Sequence, residues 1–359
     1  MWFCLGTGRS DEETQRHGVN TDATVQRMNI LITGGAGYVG AICAEELVHA
    51  GHKILVLDDL STGHRKGVPR GAVFVYGDVG DASHLRRILR RHRIGAVMHF
   101  AGATLVEKSM TEPRYYFENN VQKGLTLLET LLDVGVMDLV FSSSAAVYGE
   151  PVSTPITEDH PTKPINAYGE SKLMFEKILD WYHRAYGINY IALRYFNAAG
   201  ASANLGEDHR PETHILPRVL DAVMNSKVSF SIYGDDYPTR DGTCVRDYVH
   251  VADIAQAHIL ALRRVQEIGH GIYNIGHGKG CSIREVIRTV EKVTGKPVHA
   301  NIAPRRAGDP ATLVASPKKI MRELGWRPRH SDLVTIVKSA WQWRQRHPNG
   351  YSEVRRRSE

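Results

Sequence analysis

An α/β fold is predicted here, built on a doubly wound parallel sheet with a smaller C-terminal α/β lobe. Three observations predict it. The apolar run Met28-Asn29-Ile30-Leu31-Ile32-Thr33 has strand length and leads directly into a glycine-rich turn and a helical stretch. Short apolar runs then alternate with helical stretches to about residue 200, the pattern of a parallel sheet covered on both faces. Beyond that point clusters of Pro, Gly and Asp loosen the pattern.

Taken in order, residues 1–27 are polar and aperiodic. They read either as a disordered extension or as the result of a start codon placed too early, with Met28 as the true first residue. Buried strands are expected at 53–57, 73–76, 96–100, 139–141 and 190–193, each a short apolar run. Helices are expected at 41–50, closed by Gly51, and at 121–134. Residues 28–200 form the Rossmann-type nucleotide-binding domain in this reading. Residues 201–359 form the substrate lobe, with a strand near 271–275 returning to the first domain.

The 359 residues make one large or two small domains, and the 42% hydrophobic content supports a sizeable core. No apolar run approaches the ~20 residues of a membrane span, so no membrane partner is expected. Met1–Leu5 are apolar but lack a basic n-region, so no signal peptide is expected. The four cysteines are scattered, with neither C-x-x-C nor zinc spacing. They read as reduced thiols of a cytoplasmic protein, and no metal site is expected. The net charge of +6 is mild and suits an anionic substrate. The basic cluster at 86–93 reads as a solvated helix end rather than as a nucleic-acid site.

The glycine turn is Thr33-Gly34-Gly35-Ala36-Gly37-Tyr38-Val39-Gly40. It satisfies G-x-x-G-x-x-G and, from Gly35, G-x-G-x-x-G. Glycines there permit a tight turn, close approach of a pyrophosphate and close helix–strand packing. The helix that follows presents free N–H groups to the anion. Asp58 ends the second strand at the distance where a carboxylate accepts from a ribose 2′-OH and repels a 2′-phosphate. NAD is therefore favoured over NADP.

Tyr168 and Lys172 stand one helical turn apart and share a face. A free tyrosine has pKa ~10 and is a poor base. A nearby ammonium favours the phenolate, so the pair is a means of moving a proton. The run Ser142-Ser143-Ser144 at a strand end adds a hydroxyl for the same site.

With these motifs come Gly77-Asp78-Val79, His99-Phe100-Ala101-Gly102, Arg194-Tyr195-Phe196-Asn197, Arg246-Asp247-Tyr248 and Arg305-Arg306 through Asp309. In this order the chain resembles the extended short-chain dehydrogenase/reductase family, and within it the UDP-glucose 4-epimerases, from Asn29 to about Tyr351. The resemblance implies NAD as cofactor, a UDP-sugar as substrate and a homodimer. It implies catalytic roles for Ser144, Tyr168 and Lys172. Tyr38 and Val39 would contact the pyrophosphate, and Asp58, Asp59, Leu60, Ser61, Thr62 and Gly63 would surround the adenosine ribose. Asp78 and Val79 would lie near adenine. Phe100, Ala101, Gly102, Thr104, Asn119 and Phe196 would line the cofactor. Asn197, His214, Tyr233, Arg246, Arg306 and Asp309 would hold the UDP part, and Leu313 would border the sugar.

Five positions refine that implication. Related 4,6-dehydratases place acidic residues just after the serine; Ala145 and Ala146 stand here, and alanine supplies neither acid nor base. Thr104 replaces a family lysine, with Lys108 nearby. His214 replaces an asparagine. Leu313 is intermediate between the tyrosine that excludes N-acetylated sugars and the small residues that admit them. Epimerases of other UDP-sugars (N-acetylhexosamine, pentose or uronate), a net oxidoreductase and a non-catalytic nucleotide sensor are the alternatives on this scaffold. For the dimer, Leu173, Phe175, Ile178 and Trp181 offer an apolar face on the Tyr–Lys helix, or pack within the monomer.

Overall fold

The computed structural model describes residues 27–225, 227–306 and 309–351. The reading of residues 1–27 falls, but for Arg27, outside them. The strands are β1 (Asn29–Thr33), β2 (Lys53–Asp58), β3 (Val73–Tyr76), β4 (Ala96–His99), β5 (Asp138–Ser144), β6 (Asn189–Tyr195), β7 (Asn197–Ala199), β8 (Phe230–Tyr233), β9 (Val245–His250), β10 (His270–Ile275), β11 (Gly280–Ser282), β12 (Ala300–Ala303) and β13 (Thr312–Leu313). The α-helices are α1 (Tyr38–His49), α2 (Ala82–Arg91), α3 (Val106–Thr111), α4 (Pro113–Phe117), α5 (Lys123–Val134), α6 (Ala167–Tyr186), α7 (Ile215–Met224), α8 (Val251–Ile268), α9 (Ile283–Thr294), α10 (Lys318–Glu323) and α11 (Leu333–Arg346).

Seven strands form one parallel sheet in the order β3-β2-β1-β4-β5-β6-β10. The order reverses direction between β1 and β4. In such sheets the crevice for a ligand opens there, beyond the C-terminal strand ends. Register brings the needed ends together, with Thr33 of β1 beside Leu57 of β2 and His99 of β4.

Continuous apolar strands follow from burial on both faces. Ile30, Ile32, Val56 and Met98 pack against α1 and α8. Their neighbours Leu31, Leu55 and Val97 point the other way, against α2, α5 and α6. Each such fully buried aliphatic side chain contributes about 1.5–3 kcal/mol.

The second lobe has its own core. Strand β9 pairs antiparallel with β11 and parallel with β7 and β13, while β8 pairs with β12. Leu216, Val219, Val286, Val290, Ile336 and Val337 fill the space between α7, α9 and α11. The chain does not divide cleanly at residue 200, because α8 and β10 belong to the large sheet and its cover. Strand β7 begins two residues after β6 ends, so Asn197 sits at the junction between sheet and lobe.

Candidate active site

The glycine turn is built for close approach. Gly34 has φ +70°, and a Cβ there would stand 2.5 Å from the Ala101 nitrogen. A Cβ on Gly40 would stand 2.5 Å from the Gly34 carbonyl oxygen, so α1 lies directly on the turn. Gly37 caps α1, whose first turn carries no acidic residue to repel an anion. Asp58 organises this turn: its Oδ2 accepts from Ala36 N at 2.9 Å and its Oδ1 from Leu60 N at 2.8 Å. Burial raises the Asp58 pKa, against those two N–H groups, which lower it. Each carboxylate oxygen keeps a lone pair for a hydroxyl.

Gly34, Gly37, Tyr38, Val39, Gly40, Asp58, Asp59, Ser61, Thr62, Asp78 and Val79 line one end of a cleft of about 530 Å³. Leu60 and Gly63 do not reach its wall. Leu60 adopts φ +58°, and a Cβ on Gly63 would stand 2.9 Å from the Ala36 backbone. Both shape the loop behind the wall. Lys123, which the motifs gave no reason to choose, also lines the cleft and donates to Asp78 at 2.6 Å.

The other end of the cleft holds Ser144, Tyr168 and Lys172. Asn166 caps α6, its side chain accepting from Gly169 N. A Cβ on Gly169 would stand 2.4 Å from the Ala146 carbonyl, so the start of α6 rests on the turn that follows β5. That contact brings Tyr168 to Ser144. Ser144 Oγ accepts from Ala146 N at 3.1 Å, and Ser144 and Tyr168 line the same cleft.

Lys172 is buried and donates to the Ser142 carbonyl at 2.9 Å, with Nζ 6.0 Å from the centre of the Tyr168 ring. Burial pushes the Tyr168 phenol up, and the Ser144 hydroxyl opposes it. Burial lowers Lys172 to about 8, with Glu176 opposing.

Buried polar clasps set these positions. Asn120 Oδ1 accepts from Ala103 N at 2.7 Å, and its Nδ2 donates to Ser171 Oγ at 2.9 Å. It thereby ties the loop after β4 to α6. It belongs to a π-helical turn, Glu118–Gln122, of the kind that recurs at functional sites. Neighbouring Asn119, with Phe100, Ala101, Gly102, Thr104 and Phe196, lines the cleft. Below, Arg194 grips Glu176 through two hydrogen bonds of 2.9 and 2.6 Å, and Ser143 donates to Glu176 at 2.5 Å. His99 is pushed down to about 3 by burial, then by Lys172, and its Nδ1 lies 2.7 Å from Thr33 Oγ1.

The lobe supplies a second cavity of about 200 Å³, sharing Asn197, His214, Arg246 and Asp309 with the cleft. Tyr233 and Arg306 line only this second cavity, with Arg306 stacked 3.8 Å over the Tyr233 ring. Arg246 and Asp309 are ion-paired with each other. Arg218, one turn after His214, joins the same wall. His214 opens α7, whose first turn also lines the cavity and presents free N–H groups. Burial disfavours the charged form of His214, but Glu207 and Glu212 outweigh it and raise its pKa. Its partial exposure moderates that effect through solvent screening. Leu313, Ala145 and Ala146 border the cleft. Thr104 lines it too, and Lys108 does so while paired with Glu112 at 3.3 Å.

A Rossmann-type sheet, a glycine turn on a helix N-terminus and a Ser–Tyr–Lys group in one cleft define a dinucleotide-dependent enzyme of the short-chain dehydrogenase/reductase class. A model of the NAD dependent epimerase/dehydratase family matches residues 30–276, and the chain belongs to that family. It is 48% identical to the UDP-glucose 4-epimerase of Halalkalibacterium halodurans over 328 residues, 90% of this chain and 98% of the relative. A crystal structure of a UDP-glucose 4-epimerase superposes with TM-score 0.88 at 47% identity, covering 90% of this chain and all of the other. That of the Bifidobacterium longum enzyme, in complex with NAD+ and UDP, gives TM-score 0.85 at 36% identity, with 90% and 100% covered.

Proposed function

We propose that this protein is a UDP-glucose 4-epimerase, interconverting UDP-glucose and UDP-galactose with NAD as resident cofactor. The observation that carries the reading is one cleft with the glycine turn at one end and Ser144, Tyr168 and Lys172 at the other, opening onto an arginine-lined cavity. The cradle at Gly34 and Gly40, which any Cβ would fill, fits a dinucleotide pyrophosphate. Asp58 fits its adenosine ribose.

When bound, NAD would supply the hydride acceptor and donor for C4 of the sugar and a positive charge in the cleft. Tyr168 takes the proton from the 4-OH and gives it back. Ser144 holds the same oxygen and passes the proton. Lys172 orients from below through the Ser142 carbonyl and adds positive charge to the site. Arg246, Arg306 and Arg218, with the first turn of α7, hold the diphosphate and uracil end while the sugar turns over. Ala145 and Ala146 leave the cleft without the acid and base that dehydration needs.

Incubation with UDP-galactose and no added dinucleotide tests this reading. Formation of UDP-glucose, and its near-loss in Tyr168→Phe that still carries NAD, is the expected result. No conversion even with NAD supplied overturns it. Leu313 is partly buried in the cleft wall and favours a second reading, in which some UDP-N-acetylhexosamine is also accepted. Comparing kcat/KM for the two sugars, with Leu313→Tyr as control, decides it.

We also propose a homodimer in the cytoplasm. Leu173 and Phe175 are buried within the protomer, as the alternative reading of that stripe has it. Met174 and Trp181, seven residues apart on α6, are exposed and replace them. Trp181→Glu should convert a dimer to a monomer in light scattering. The described cysteines are free, as suits a reducing compartment. Among the described residues no helix is long and apolar enough to cross a membrane.

A further inference from the structure

The segment between β7 and α7 gathers four side chains that neither the proton-transfer groups nor the dinucleotide cradle uses as a set. Glu207, His209, Glu212 and His214 each direct one donor atom into a common space, all within 4.8 Å of one another. Glu207 Oε1 lies 2.8 Å from His214 Nδ1 and 3.2 Å from His209 Nδ1. His214 Nδ1 lies 3.1 Å from Glu212 Oε1, and His209 Nδ1 lies 3.8 Å from Glu212 Oε2.

Two of these atoms are orphans. Glu207 is only 8% exposed, yet its Oε1 has no hydrogen-bond partner, and neither has the buried Nδ1 of His209. A buried carboxylate oxygen without a donor is costly. Two imidazole nitrogens stand within reach of it. His214 Nδ1 hydrogen-bonds Glu212 Oε1 at 3.1 Å, an oxygen that also accepts from the Thr213 and His214 N–H groups, while the two orphaned atoms face the same shared space.

We propose that Glu207, His209, Glu212 and His214 bind one divalent transition-metal ion, zinc by preference. Tetrahedral zinc with bonds of about 2.0–2.2 Å separates its donors by about 3.4 Å. The four separations above, 2.8–3.8 Å, lie around that edge, and all the donor atoms lie within 4.8 Å of one another. Two nitrogen and two oxygen donors suit zinc and exclude the all-oxygen preference of magnesium and calcium. The spacing E-x-H-x-x-E-x-H departs from the cysteine-based patterns that zinc sites usually show in sequence. All four ligands come from one short loop, and a closed four-ligand set is structural rather than catalytic. The loop also borders the cleft through Glu207, His209 and His214, and His209 faces the Tyr38 ring edge-on. The ion staples this loop beside the phosphate turn.

The test uses the full-length, untagged protein. Metal content is measured on the enzyme as isolated, and zinc is titrated calorimetrically into chelator-treated enzyme. Expected are about one zinc per chain and a thermal midpoint raised by about 5 °C at a hundredfold excess over Kd, with no shift from magnesium. His209→Gln should weaken zinc binding by at least tenfold. Should that variant fail to fold, cobalt(II) added to the wild type decides the matter: a tetrahedral d–d band without sulfur charge-transfer supports the site. Absence of stoichiometric zinc together with absence of that band overturns the proposal, leaving an ion-paired cluster of imidazolium and carboxylate. A sulfur charge-transfer band also overturns it, since the metal then sits on a cysteine.

Discussion

Replacing Lys172 with methionine should cost activity and add stability. The lysine is 3% exposed, and its ammonium has the Ser142 carbonyl at 2.9 Å as its hydrogen-bond acceptor. Burial holds its pKa at about 8 against an ordinary value of 10.5, with Glu176 working the other way. At neutral pH that difference is worth about 3 kcal/mol of native-state stability, at about 1.4 kcal/mol per tenfold change in proton affinity. Methionine fills a similar volume without charge. Loss of the hydrogen bond to Ser142 returns about 1 kcal/mol of the gain, so the net expectation is a stabilisation of about 2 kcal/mol. The sign depends on pH. Between about 8 and 10.5 the unfolded chain holds a proton on this lysine that the folded chain has lost, so wild-type stability rises with pH across that window. The advantage of the variant should therefore shrink toward pH 10. Guanidinium unfolding of both proteins at pH 7 and pH 9.5, at matched dinucleotide occupancy, measures it. A variant less stable than wild type at pH 7, or an advantage that grows with pH, refutes the reasoning.

Three further outcomes are expected. Glu176→Gln breaks the buried pair with Arg194 and leaves a guanidinium without its charge partner, which should cost about 3–5 kcal/mol in denaturant unfolding. Gly34→Ala forces a Cβ toward the Ala101 nitrogen at φ +70°, so the purified variant should lose its bound dinucleotide, read from the 260/280 nm absorbance ratio. His99, His258 and His250 are pushed down by burial to about 3, 4 and 4, from 6.5. Below pH 6.5 the unfolded chain takes up protons that the folded chain refuses, so stability should fall from pH 7 to pH 5 in urea titrations.

What was legible in advance was local. The glycine turn is read from spacing because each glycine answers to a backbone contact within a few residues or on the adjoining strand. Gly40 meets Gly34, and Gly34 meets Ala101. Tyr168 and Lys172 are read from helical period. The period places them on one face but not where the ammonium points, and a carbonyl on β5 takes it. Period offered Leu173 and Phe175 either as a surface stripe or as packing within the monomer; both are buried, Phe175 in the sheet core and Leu173 against Tyr148 and Phe196, while Met174, Trp181 and Tyr186 stay outside.

The sequence by itself determined the fold class, the glycine turn and the placing of Tyr168 and Lys172 on one helical face, because strand–turn–helix geometry and helical period are short-range properties. The tertiary structure alone decided which distant groups meet. Arg246 pairs with Asp309 across 63 residues, Arg306 stacks on Tyr233, and Asn120 ties the loop after β4 to α6. It also decided which charges are displaced from their ordinary pKa, since desolvation depends on everything packed around a group and not on its neighbours in the chain.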